Sequence, residues 1–267
     1  MKIRNFFKKA QKQGWAIGQF NISNLEILRA IIQAAKELKS PVIIGTSEGE
    51  SKFLGLRQAV ALIKVFRQET GLAVFLNLDH GKSFDYIKKA VLAGYDSVHF
   101  DGSALPLKRN IKITKKIVKI CHQKGILVEG EVGMIGGELT ESAEAEKFAQ
   151  ETKVDRLAIN VGTVHGKKAL IDFKRLKEIK KKVGKIPLVL HGGSGVSKKD
   201  IKKAIKLGIV KININTALRI AYTNSLKKIL EEKSKEITPY KYLPKVIEAV
   251  QKVVEEKIKL FGSMNKI

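Results

Sequence analysis

The sequence predicts a (β/α)8 barrel, the TIM-barrel form of the α/β class, with an extra C-terminal helix. Three observations predict it. Apolar, β-branched runs recur eight times with helical segments between them. Polar residues able to do chemistry close nearly every run: Asn21, Ser47, Asp79 with His80, Asp101, Glu131, His165, His191 and Asn213. No proline-rich or serine-rich linker breaks the chain, so residues 1–267 read as one domain. An open, doubly wound sheet also alternates strands with helices, but it focuses its chemistry near one switch point. A closed barrel instead gathers residues from many strand ends onto one face.

In chain order, the expected strands cover residues 16–20, 42–46, 74–80, 97–102, 127–133, 156–162, 187–193 and 210–216. Each is a short apolar run bounded by turn-forming residues. Helical periodicity covers 24–38, 56–69, 84–93, 111–124, 173–183 and 198–207. Ser23, with Glu26 three residues on, reads as a capping box for the first of these helices. Ser197 with Asp200 gives a related start. Glycine closes helices before the next strand in LAGYDSV, QKGILV and KLGIVKI. Beyond the eighth strand, 217–235 and 243–261 read as two more helices, the latter being the extra C-terminal element.

Composition narrows the function classes. The net charge of +25 comes from 51 Lys and Arg against 26 Asp and Glu. The lysines are spread through helical segments such as FKRLKEIKKKVG, the pattern of a solvated helix face. No basic segment is interleaved with aromatics, so no nucleic-acid partner is expected. A basic surface still attracts phosphorylated anions through its long-range field. No run approaches the roughly 20 apolar residues of a membrane span, so no membrane partner is expected either. The opening MKIRNFFKKAQKQGWAIG has no sustained apolar core, and Cys121 is the only cysteine; both fit a cytoplasmic protein without disulfides.

Three of the five histidines, His80, His165 and His191, each close an apolar run and are each followed by glycine. Gathered at one mouth, they make a three-imidazole metal site with coordination positions open to substrate. His99, inside a strand, and His122, inside a helix, are left to structural roles. Asp79 points away from His80 in a regular strand, yet at the strand's last turn both reach the mouth. There Asp79 is an acid, a base or a ligand-orienting group. The loops HGGSG and NINT, with Gly166 after His165, carry the glycines and donors that hold a phosphate after strands seven and eight of a barrel. Cys121, near a helix end, reads as a buried thiol rather than a nucleophile.

With these motifs in this order, the sequence resembles the class II, metal-dependent ketose-bisphosphate aldolases that act on fructose and tagatose bisphosphates. The likeness runs nearly end to end, through FNISNLE, PVIIGTSEGE, LNLDHG, FDGSALPLKRNI, VEGEVGMIGGE, VGTVHG, LVLHGGSG, VKININT and KIKLFGS. The resemblance implies that His80, His165 and His191 ligate zinc, with other divalent metals an alternative. Asp101 and Glu131 match positions near the metal that, in some relatives, hold a second or displaced ion. Asp79 would be the acid/base at the C4 oxygen. Ser47, Gly166, Gly192, Gly193, Ser194, Asn213, Ile214, Asn215 and Thr216 would hold dihydroxyacetone phosphate, and whether a monovalent cation helps hold the phosphate stays open. A homo-oligomer, dimer or tetramer, is implied as well.

The implied glycolytic reaction is reversible cleavage of a ketose 1,6-bisphosphate to dihydroxyacetone phosphate and glyceraldehyde 3-phosphate. Fructose 1,6-bisphosphate comes first, with tagatose 1,6-bisphosphate or another phosphorylated ketose as alternatives. Such chemistry needs a Lewis acid for the carbanion and a carboxylate to exchange a proton with it. The second carboxylate is where this chain departs from the pattern. The loop GGELTESAEAE is short, with Glu138 first after the glycines and Leu139 where the family carries glutamate. Glu138, with Glu141 behind it, is the candidate for that exchange.

Two readings from other classes compete. A metal hydrolase on the same barrel would use zinc-bound hydroxide as its nucleophile. A basic nucleic-acid binder explains the charge but not the histidines. A Schiff-base aldolase needs a lysine at a strand end, whereas Lys211 begins its expected strand.

Overall fold

The computed structural model describes residues 2–232 and 235–267. Its strands are β1 Ile17–Asn21, β2 Val42–Ser47, β3 Val74–Gly81, β4 Ser97–Phe100, β5 Leu127–Val132, β6 Arg156–Ile159, β7 Leu188–Leu190 and β8 Ile209–Ile214. Neighbours pair in parallel and in chain order, and β8 returns to pair with β1, closing the barrel. Among the described residues the helices are α1 Ile3–Gln13, α2 Leu25–Glu37, α3 Glu48–Leu54, α4 Leu56–Thr70, α5 Phe84–Ala93, α6 Leu107–His122, α7 Ser142–Thr152, α8 Phe173–Val183, α9 Lys198–Lys206, α10 Thr216–Glu232 and α11 Pro239–Phe261. The expected helix 217–235 begins one residue earlier, at Thr216, and positions 233–234 lie outside the described residues.

The fourth, sixth and seventh strands stop short of expectation, at Phe100, Ile159 and Leu190. Beyond them Asp101 contacts His80, Asn160 holds the loop after β5, and His191 lines the cavity. Three helices escaped the sequence reading. Helix α7 fills the β5–β6 crossover, and α3 is only seven residues long. The third, α1, buries Ile3, Phe6, Phe7 and Ala10 at helical spacing against Phe75, Leu127 and Val210, plugging the N-terminal end of the barrel.

The first helical start is also corrected. Asn24, not Ser23, caps α2 by accepting the Ile27 N–H, because the helix begins one residue later than a Ser23–Glu26 box requires. A true capping box forms at α3, where Ser47 accepts the Glu50 N–H and Glu50 accepts the Ser47 N–H. Ser197 caps α9 as expected.

Within the barrel the inward positions are polar as well as apolar. Ser97 donates to Asn77, Asn77 to Gln19, and Gln19 to Asn21, a ladder of 2.5, 2.9 and 3.1 Å that ends under the barrel mouth. All four side chains are buried, so each bond also avoids an uncompensated desolvation of about 1–3 kcal/mol. Gly45 makes room for it: a Cβ there would sit 2.3 Å from Asn21 Oδ1. Outside the barrel, α11 packs on α2 and α10, and its last carbonyl, that of Phe261, accepts the Ala16 N–H just before β1. No helix among the described residues is long and apolar enough to cross a membrane.

Candidate active site

The end of β3 decides how Asp79 and His80 face the same way. His80 adopts φ +49°, a left-handed conformation uncommon for a residue with a Cβ, and the β3–β4 register shifts between Leu78 and Gly81. Strand alternation is broken at that point, so Asp79 and His80 line one cavity. His191 follows β7 directly and is fully buried, while His165 sits on the exposed loop after β6. Ring centres lie 4.6 Å apart for His80 and His191, 5.4 Å for His80 and His165, and 6.5 Å for His165 and His191. The three predicted histidines therefore meet at one mouth.

His99 meets them too, which the sequence reading missed. Its ring centre is 4.7 Å from His80 and 4.8 Å from His191, directly beneath the cluster. The His80 N–H lies 3.1 Å from His99 Nδ1, and His99 Nε2 faces Glu131 Oε2 at 3.0 Å. The parity of β4 carried this signal: Ser97 and His99 share the inward face.

The donor set fits a divalent metal ion. His80 Nδ1 contacts Asp101 at 3.0 Å, and His191 Nε2 contacts Glu129 at 2.9 Å. Each ring is thus backed by a carboxylate on one nitrogen and presents the other, the arrangement that orients metal-ligating imidazoles. The presented atoms, His80 Nε2 and His191 Nδ1, lie 3.0 Å apart, close enough to share one ion. Among the described residues, donor atoms of Asp79, His80, His99 and His191, and separately of His80, Asp101 and Glu131, fall within 4.8 Å of one another. The expected Asp101 and Glu131 therefore lie beside His80, whereas His165 stands farther off.

Protonation follows from these surroundings. Burial pushes His191 down to about 4, so its ring is neutral and keeps a lone pair on Nδ1. Burial works against the charged form of His80, but Asp79 and Asp101 prevail and hold its pKa above the usual imidazole range. Asp79 is buried as well, yet His80, His99, His191 and Lys211 hold it well below the usual carboxylate range, so it is ionised. Asn21 and Asn213 each donate to it at 3.0 Å.

Below the imidazoles lies a fully buried ion network. Glu129 accepts from Lys211 at 2.7 and 3.1 Å, from Arg156 at 3.0 Å and from His191. Lys211 stands mid-strand with its amine pinned by Glu129, and it lines neither lobe of the cavity described below. This corrects its expected place at the start of β8 and gives no support to Schiff-base chemistry. Arg156 also lies 4.7 Å over the Phe7 ring, tying the α1 plug to the network.

The cavity has two lobes that share His80 and His165. One, about 220 Å3, is lined on its far wall by Asn21, Ser47, Gly166, Gly192, Ser194, Asn213, Asn215, Thr216 and Arg219. The other, about 350 Å3, is lined by Lys82, Asp101, Ser103, Ala104, Glu131, Met134 and Ile135. Seven of the nine expected substrate-binding residues thus line the first lobe. Two do not: Ile214 is buried in the core, and Gly193 packs beneath the loop, where a Cβ would sit 2.5 Å from Ile212. Glu138 is not brought to either lobe. Its side chain is exposed, while Asn160 fixes its loop by donating to the carbonyls of Met134, Gly137 and Glu138. Glu141 pairs with Arg175 at 2.7 Å. Cys121 is buried as expected, which pushes its thiol up to about 12.

Known proteins resemble this chain over nearly its whole length. A family model described as "Fructose-bisphosphate aldolase class-II" matches residues 1–266. Proteins named "Fructose-bisphosphate aldolase" from Staphylococcus aureus (strain Mu50) and Staphylococcus epidermidis (strain RP62A) are 38% and 37% identical to this chain. Both alignments cover 100% of this chain and 98% of the relative. They run over 282 positions against 267 residues here, so the relatives carry segments that this chain lacks. The crystal structure of the YdjI aldolase from Escherichia coli K12 superimposes with a TM-score of 0.91 and 36% identity, covering 99% of this chain and 98% of that one.

Proposed function

The chain belongs to the class-II fructose-bisphosphate aldolase family, and from that premise we propose that it reversibly cleaves fructose 1,6-bisphosphate to dihydroxyacetone phosphate and glyceraldehyde 3-phosphate. The enzyme is a metal-dependent aldolase, a carbon–carbon lyase. Its substrate is a phosphorylated ketose. The observation that carries the finer reading is the meeting of His80, His165 and His191 in one cavity with an ionised Asp79 and the glycine-rich loops.

We assign zinc to His80, His165 and His191, with Asp101 and Glu131 beside them. Zinc would supply Lewis-acid polarisation of the ketose carbonyl and stabilise the charge left on carbon when the C3–C4 bond breaks. Asp79 takes the proton from the C4 hydroxyl in cleavage and returns it in condensation. Its two oxygens are held by Asn21 and Asn213, so the carboxylate is oriented before substrate arrives. The carbanion left at C3 takes up a proton, from Glu138 on the exposed loop after β5 or from water at the open mouth, to give dihydroxyacetone phosphate. Ser47, Gly166, Gly192, Ser194, Asn213, Asn215 and Thr216 bind the dihydroxyacetone phosphate half, where the N-terminus of α10 and the positive-φ glycines 166 and 192 present backbone N–H groups to an anion. The 350 Å3 lobe receives the aldehyde half. A cytoplasmic homo-oligomer completes the reading.

The test is cleavage of fructose and tagatose 1,6-bisphosphates, followed through triose phosphate release before and after chelation. Cleavage of the fructose substrate that EDTA abolishes and Zn²⁺ restores is the expected result. A faster rate with tagatose 1,6-bisphosphate would transfer the assignment to that sugar. Failure of metal-loaded protein to cleave either one would retire the bisphosphate reading.

A further inference from the structure

We propose that Arg156 is a positioning residue for the metal site: acting through Glu129, it fixes which nitrogen of His191 faces the mouth. The inference rests on the zinc assignment above. It adds a residue that lines neither lobe of the cavity. Arg156 opens β6, and among the described residues it is the largest side chain that is fully buried. Only its Nε meets an acid, Glu129 Oε2 at 3.0 Å. Its Nη1 and Nη2 find no protein acceptor among the described residues. A guanidinium held this way is costly to bury.

Charge balance does not account for it, because Lys211 already pairs with Glu129 at 2.7 and 3.1 Å. Nor does packing, since an apolar side chain against Phe7 would fill the same space without a buried charge. The contacts give Arg156 another use. Lys211 reaches both Glu129 oxygens and so does not choose between them. Arg156 reaches Oε2 only, which turns Oε1 toward His191 Nε2 at 2.9 Å.

With Nε2 engaged, His191 presents Nδ1, which lies 3.0 Å from His80 Nε2. The Phe7 ring, 4.7 Å from the guanidinium carbon, backs Arg156 from the side of α1. A line of contacts therefore runs from the plug helix through Arg156 and Glu129 to the imidazole. A carboxylate free to swing would leave that ring without one orientation. Partners that orient ligating imidazoles in this way typically carry a tenfold to hundredfold share of metal affinity.

The experiment compares the parent with Arg156→Met, Arg156→Lys and Phe7→Leu. It measures zinc affinity by competition with a chelator, the visible absorption of the Co²⁺-loaded protein, and melting of the metal-free protein. Arg156→Met is expected to bind zinc about 10–100 times more weakly, to shift the Co²⁺ band, and to melt no lower than the parent. The sign is informative: loss of a nearby buried cation would by itself tighten binding of a divalent ion. Weaker binding in a protein that melts normally therefore reports orientation. Arg156→Lys, whose ammonium reaches as far as the Arg156 Nε, should recover most of the affinity and the parent's band. Phe7→Leu keeps an apolar plug but frees the guanidinium, and should move the band in the direction that Arg156→Met does.

Zinc affinity in Arg156→Met equal to or tighter than the parent's would overturn the inference. So would a weaker affinity that comes with lower melting and is not restored by Arg156→Lys, the result of a purely structural role. Should Arg156→Met fail to fold, an unchanged Co²⁺ band in Phe7→Leu would overturn it instead. Metal binding is read without turnover. A parent that binds no zinc would retire the zinc assignment and this inference with it. A parent that binds zinc with the expected dependence on Arg156 but cleaves neither bisphosphate would retire the aldol reading alone.

Discussion

Asp79 shows how a single side chain is prepared for its work. Burial alone would favour its neutral form, but its imidazole neighbours and Lys211 outweigh that and keep it ionised as a base needs. Asp79→Asn keeps the shape of the side chain and removes the basic oxygen. Cleavage of fructose 1,6-bisphosphate should fall by at least about a hundredfold, within the range of general-base catalysis. Zinc affinity should change far less, since His80 and His191 keep their backing carboxylates. Retention of most activity in steady-state assays would remove Asp79 from the role. The neighbouring residues also show the limit of reading single positions. His99 and Glu129 were passed over because each lies within a strand, and only the direction it faces brings it beneath the cluster.

At the scale of elements, the loops after β6 and β7 act as a pair. A short parallel bridge joins Ala169 to Val196, and the Ala169 N–H donates to the Gly195 carbonyl at 3.2 Å. A Cβ on Gly195 would lie 1.8 Å from the Lys167 carbonyl oxygen, so glycine is required for the close approach. Gly195→Ala should push the His165 loop away from the Ser194 loop. The expected result is a rise in KM for the bisphosphate of about tenfold and a stability loss of about 1–3 kcal/mol, the usual range for an overpacked contact. Kinetics and denaturant titration check both. Unchanged KM would mean that the two loops do not set the phosphate site together. Gly166 and Ser194 were legible in the sequence, whereas the bridge between their loops was not.

For the whole molecule, metal binding and folding are coupled. An ion held, as proposed, by His80, His165 and His191 would bind the folded chain and not the unfolded one. Zinc at a hundred times its dissociation constant should stabilise the protein by about 2.7 kcal/mol, visible as a rise in melting temperature. The increment should shrink as pH falls. His80 has a raised pKa, so in the metal-free protein it keeps its proton to higher pH than an ordinary histidine, and zinc must displace that proton. Lower pH therefore favours the metal-free form. Calorimetric melting with and without zinc at several pH values tests this; a zinc increment that grows on acidification would contradict the assignment.

The sequence by itself determined the barrel, the order of its strands and most of the residues at its mouth. Those properties are local: apolar runs end in glycine and polar residues, and each strand end is read within a few positions. What the tertiary structure decided depends on closure. Glu129 meets Lys211 across 82 residues of chain and Glu50 meets Arg219 across 169, distances over which no periodicity carries a signal. The outward turn of Glu138 was likewise hidden, because Asn160, on the next strand's loop, fixes that segment's backbone. Inward or outward facing, and the partner across the barrel, are set only when β8 pairs with β1.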